Sequence, residues 1–114
     1  PGDVNIDHQR ISEAVITAAR STPNHPTNTI LFFEVPSSTE WQVSPVKATF
    51  QPNWFVDISE TLQLKQKALA AYDSEMRAFP HPRSYSTVEH LAHWRGATAG
   101  VEAAESFFLA RHQE

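Results

Sequence analysis

The chain has 114 residues, 40% of them hydrophobic and 19% charged, with a formal net charge of −4. That length and balance suit a single globular domain, here residues 1–114, with a core of its own rather than a disordered segment. Lys and Arg are scattered singly and cysteine is absent, which argues against nucleic acid, an anionic membrane surface, disulfides and thiolate metal sites. The apolar runs are too short to span a membrane and no signal peptide stands in these residues, so no membrane span and a cytoplasmic location are expected. Pro1 is not a natural translation start, and a processed or trimmed chain is expected.

The opening stretch, Pro1-Gly2-Asp3-Val4-Asn5-Ile6-Asp7-His8, gathers short polar side chains just before an apolar periodicity. Ile11, Ala14, Val15, Ala18 and Ala19 recur at helical spacing, so a helix is predicted over about 7–20. Asp7 or Asn5 suits its N-cap, because a short side-chain oxygen accepts from the first-turn amides that lack helical partners. His8 then stands in the first turn, with Asp7 or Asp3 near enough to hydrogen-bond an imidazole nitrogen. A single Asp-His pair of this kind at a helix start is, by itself, an ordinary solvated cap.

Ser21-Thr22-Pro23-Asn24-His25-Pro26-Thr27-Asn28 breaks the helix with two prolines and leaves His25 in an exposed loop. Thr29-Ile30-Leu31-Phe32-Phe33-Glu34-Val35 is β-branched and aromatic without polar alternation, which predicts a strand buried on both faces of a parallel sheet. Ser37, Ser38, Thr39, Glu40 and Trp41 follow its carboxyl end, where open α/β sheets collect ligands. They read either as a sugar-facing loop or as a surface turn with Trp41 folded back on the core. Ala48-Thr49-Phe50 and 54–58 read as short strands around Pro52-Asn53, with Asp57 a solvated carboxylate at a strand end.

Ser59 is the predicted cap of a helix over about 60–78, on which Lys65 interrupts the apolar face and either snorkels or pairs with a carboxylate. Pro80-His81-Pro82-Arg83-Ser84 stiffens the chain, and Arg83 suits a carboxylate or phosphate, although a surface linker explains the same residues. A last helix is predicted over 86–112, with Ser86 and Glu89 as a capping box. Gly96 and Gly100 are read there as small residues permitting close packing. Arg95 is read as a structural clamp on Glu102 or Glu105. His90 and His93 have a metal-compatible spacing but no third ligand.

Taken in order, Asp7-His8, Glu34-Val35-Pro36-Ser37-Ser38-Thr39-Glu40-Trp41, Phe50-Gln51-Pro52-Asn53-Trp54-Phe55-Val56-Asp57-Ile58-Ser59, the helix carrying Lys65 and Lys67, Tyr72-Asp73-Ser74-Glu75, Pro80-His81-Pro82-Arg83-Ser84, Trp94-Arg95-Gly96 and Ala104-Glu105-Ser106-Phe107-Phe108 resemble the C-terminal half of the LmbE-like, or PIG-L, zinc-dependent N-acetyl-sugar deacetylases. The resemblance spans nearly the whole chain. It implies the C-terminal portion of a Rossmann-like three-layer α/β/α fold that lacks its first strands, leaving a sheet edge and an apolar face uncovered. It also implies an amide hydrolase acting on the linear N-acetyl amide of an amino sugar or glycoconjugate. His8 matches the family's third zinc ligand, with Asp7 counted as the catalytic carboxylate beside it. Glu40, Trp41, His81 and Arg83 are assigned to substrate binding in the same cleft.

The family's first motif, A-H-P-D-D-E, supplies two further zinc ligands and the catalytic base, and it does not occur in these residues. Asn5 replaces a histidine that many members carry, which leaves the acid partner open. The chain is therefore expected to be inactive alone, and to self-associate or to join a companion N-terminal fragment. The alternative is a non-catalytic sugar-binding or interaction domain on the same scaffold.

Overall fold

A computed structural model describes residues 2–24, 27–43 and 48–114. Among them are three helices and three strands, a mixed α/β chain. In order these are α1 (Ile6–Ala18), β1 (Thr29–Phe33), β2 (Trp54–Asp57), α2 (Leu62–Ala70), α3 (Tyr85–Ala99) and β3 (Ala104–His112), with strand order β1-β3-β2. The chain divides into two compact units, Pro1–Trp54 with Phe107–Glu114, and Phe55–Ser106. His25 lies outside the described residues.

In the first unit, α1 begins where the sequence places it, and of the two candidate caps the structure uses Asn5. The Asn5 side chain accepts from the amides of Asp7 and His8, at 2.9 and 3.4 Å. The apolar stripe of α1 is not buried, with Ile11 61% and Val15 48% exposed. Strand β1 occupies the expected position, but it pairs antiparallel with residues 107–112 of β3, and only Ile30 within it is buried. The parallel, doubly buried strand of the sequence reading is thus corrected. An apolar run fixes extended backbone but not its partner, and the partner lay in residues that the sequence assigned to a helix. Between Ile30 and Leu31 the register slips past Ala110, a β-bulge, and beyond it Phe32 stacks on its partner Phe108 with ring centroids 6.4 Å apart. Residues 48–50 form no strand. Asn53 docks on β3 instead, its amide donating to the Phe107 carbonyl and its side chain accepting from the Leu109 amide.

The second unit holds a small core of Leu62, Ala92 and Ala103 with Ile58 against it. The expected helix over 60–78 is shorter. Ser59 does not cap it, because its hydroxyl donates to Asp57 at 2.6 Å, and after Ala71 the chain tightens into a 3-10 turn at Asp73–Glu75. Those Ser59 hydrogen bonds hold the exposed Asp57 carboxyl below its ordinary range. Helix α3 is capped by Ser84, not Ser86, with the Thr87 amide donating to its hydroxyl. This moves Glu89 off the third helical position, so there is no capping box at 86–89.

The larger correction is the end of α3. Gly100 adopts φ +78 and closes the helix by donating its amide to the Gly96 carbonyl, and 104–112 then form a strand rather than three further helical turns. Gly96 does allow close packing, as the sequence suggests. A Cβ there would stand 2.7 Å from backbone atoms of Ala103, whereas one on Gly100 would meet nothing within 4 Å. Lys65 pairs with Glu105 at 2.7 Å, so that carboxylate, one of the two anions expected for Arg95, is held by Lys65.

Candidate functional site

The polar residues that open the chain converge with the turn after β1. Asp3 is only 6% exposed, although aspartate is rarely buried without partners. One carboxylate oxygen accepts from the Asn5 amide at 2.7 Å and from the Ser38 hydroxyl in a short contact. The other accepts from the Thr39 hydroxyl at 3.0 Å and lies 3.1 Å from His8 Nδ1. Burial pushes the Asp3 carboxyl up. The hydrogen bonds from Ser38, the Asn5 amide, His8 and Thr39 together outweigh it, and the group titrates below its ordinary value. A carboxylate only accepts, so Nδ1 of His8 carries the hydrogen in this contact, and in the neutral ring the lone pair is on Nε2. Of the two acidic neighbours expected for the imidazole, Asp3 makes the contact, while Asp7 stays exposed in the first turn of α1.

The turn is built to hold this arrangement. Ser38 and Thr39 donate their amides to the Val35 carbonyl, and the Val35 amide donates back to the Thr39 hydroxyl at 2.7 Å. The carboxylate of Glu40 accepts from the amides of Ser37 and Ser38, at 2.6 and 3.1 Å. That grip fixes Ser37 at φ +69, a left-handed conformation that serine seldom adopts. Glu40 is therefore engaged with the backbone of its own turn. Trp41, which follows, is 63% exposed and is not folded onto a core. A cavity of about 220 Å³ adjoins the cluster, polar where Asp3, His8 and Thr39 reach it and apolar along Ile11, Leu31 and Val35.

His81 and Arg83 belong to the second unit. Nδ1 of His81 accepts from the Arg83 amide at 3.0 Å, and the Arg83 guanidinium pairs with Glu75 at 3.0 Å. Nearby, the Tyr85 hydroxyl donates to Asp73, which raises its pKa above the ordinary tyrosine value. Nδ1 of His93 donates to the Glu102 carbonyl, and Nε2 lies 4.0 Å from Glu89.

Asp3, Ser38 and Thr39 are the residues whose joint role the sequence conceals. Spacing links Asp3 to His8, but nothing local says that residues thirty-five positions on will surround the carboxylate. As for zinc, no group of three or more His, Cys, Asp or Glu side chains is placed to hold a metal ion among the described residues. One imidazole does not fit a tetrahedral protein site, which takes at least three side-chain ligands. No helix among the described residues is long and apolar enough to cross a membrane.

No protein-family model matches the chain, and no solved structure matches it.

Proposed function

We propose that the chain is the C-terminal part of an LmbE-like N-acetyl-sugar deacetylase, an amide hydrolase on a Rossmann-like α/β/α scaffold. The observation that carries this reading is the state of His8. Its Nδ1 is engaged by a buried carboxylate, which leaves the lone pair of the neutral ring on Nε2, and the residue lines a cavity with polar and apolar walls. That is how metal-ligating and catalytic imidazoles are commonly held, with the second ring nitrogen fixing the tautomer. The ordered resemblance along nearly the whole chain supplies the reaction class, hydrolysis of the acetamide of an N-acetylglucosaminide-type substrate.

Zinc enters as the cofactor of a complete enzyme, whose remaining ligands and base come from an upstream segment. The uncovered apolar stripe of α1 and the single-neighbour strand β1 suit burial by that segment, which is the partner proposed. Trp41 offers an exposed ring face for a sugar, and Asp7 remains the proposed carboxylate beside the reacting amide. His81 and Arg83 remain proposed substrate contacts.

The test is to express the chain joined to the coding sequence upstream of it and to measure acetate release from an N-acetylglucosaminide. Zinc-dependent release that disappears in the 114-residue chain alone supports the reading. An upstream sequence without an H-P-D-D-E motif, or an extended protein that binds the sugar without cleaving it, contradicts it in favour of a non-catalytic sugar-binding domain.

A further inference from the structure

Helix α1 carries His8, Ile11 and Ser12 on one face, at i, i+3 and i+4, and all three line the cavity of about 220 Å³ together with Leu31 and Val35. Helical side chains lean toward the N-terminus, so the Ser12 hydroxyl lies over the turn that bears His8. Threonines elsewhere in the helices return their hydroxyls to the carbonyl four residues back, Thr17 to Glu13 at 2.9 Å and Thr98 to Trp94 at 3.0 Å. Ser12 does not. Its Oγ is buried and has no hydrogen-bond partner among the described residues. A hydroxyl left in that condition is unfavourable in a folded chain unless something in the cavity meets it.

The neighbouring groups decide what chemistry can meet it. The Asp3 carboxylate has about four lone-pair sites, and the Asn5 amide, the Ser38 and Thr39 hydroxyls and His8 Nδ1 take them up. It offers no acceptor to a cationic ligand, and its charge repels an anionic one. What remains is Ser12 Oγ and the His8 Nε2, which bears the lone pair of the neutral ring. A hydroxyl serves both, giving its proton to Nε2 and accepting the proton of Ser12. The volume is about seven waters' share of the liquid, roughly that of a six-carbon alcohol, and Ile11, Leu31 and Val35 supply apolar wall for the chain. We propose that this cavity binds a neutral aliphatic alcohol of about that size, with its hydroxyl between His8 and Ser12. The proposal involves no metal and stands apart from the deacetylase reading.

The test titrates n-hexanol into the 114-residue chain, labelled at its amides and its Ile, Leu and Val methyls, and follows the NMR shifts. The expected result is a saturable response at the Ser12 amide and the methyls of Ile11, Leu31 and Val35. Ile6 and Leu64, which are 64% and 65% exposed, should not respond. Hexanoate keeps the chain but carries an anionic head, and should bind at least about 10-fold more weakly. Ethanol keeps the hydroxyl and lacks the chain, and should not saturate. Ser12→Ala should weaken hexanol binding by about 3- to 10-fold while leaving the urea midpoint equal or higher, because it removes the unpaired hydroxyl. The ligand comparison uses the unaltered chain, so it decides the matter even should Ser12→Ala fail to fold. Hexanoate binding as tightly as hexanol, an affinity unchanged in folded Ser12→Ala, or a response shared by Ile6 and Leu64 overturns the site. A cavity that holds only solvent gives no saturable response, and that result overturns it as well.

Discussion

His8 Nδ1 and Asp3 Oδ2 stand 3.1 Å apart, and the aspartate is the more buried partner. The Asp3 carboxyl titrates below its ordinary value, about 4 in an unfolded chain, because its hydrogen bonds outweigh its burial. A depressed folded pKa means the unfolded chain binds the proton more readily. The stability that this group contributes is therefore fully present above the unfolded value and is lost as pH falls through the folded one. Urea denaturation at a series of pH values should show Asp3→Asn less stable than the unaltered protein near neutrality, with the gap narrowing between about pH 5 and pH 2. A gap that stays constant over that range would contradict the assignment.

Asn5 caps α1 through two backbone amides. Asn5→Ala should cost about 1 kcal/mol, while Asn5→Asp and Asn5→Ser should remain near the parent. The loss should appear as a lower urea midpoint with an unchanged slope. Because α1 buries none of its residues, little packing is available to hold its first turn once the cap is gone.

The two glycines of α3 serve different ends, and alanine separates them. A methyl at Gly96 would sit 2.7 Å from Ala103 backbone atoms and the Glu102 carbonyl, contacts that no side-chain rotation relieves. Gly96→Ala should destabilise by about 1–3 kcal/mol. Gly100→Ala meets open space but must hold φ +78, at a cost of about 1–2 kcal/mol, and Gly100→Asn should recover part of it. Thermal melts of the three variants check this. Equal tolerance of Gly96→Ala and Gly100→Asn would remove the close approach of α3 to Ala103.

What the sequence reveals follows from how local each signal is. The start of α1 is legible, because a cap and an apolar period are neighbours in sequence, and so is the extended run of β1. Gly100 was ambiguous. The same residue serves a packed helix face or a left-handed cap, and with the first meaning the helix ran on through Phe107 and Phe108 to His112. That error removed β3 and with it the antiparallel partner of β1. Within the site, His8 is visible from its Asp7-His8 context at a helix start. From the sequence, the turn 37–41 reads either as a ligand loop, because strand ends often carry one, or as a surface turn, and its hydrogen-bond inventory becomes clear only when Asp3 stands beside it. Lys65 and Glu105 are forty residues apart, and their pairing was open for the same reason.

The most direct test of the central claim is a metal analysis. The upstream-extended protein and its His8→Ala variant are purified with limiting zinc and assayed for bound metal and for acetate release from an N-acetylglucosaminide. The account predicts about one zinc per chain in the parent protein and loss of both metal and activity in His8→Ala with the fold retained. Undiminished zinc and activity in His8→Ala would contradict it, leaving His8 a histidine of the helix start and nothing more.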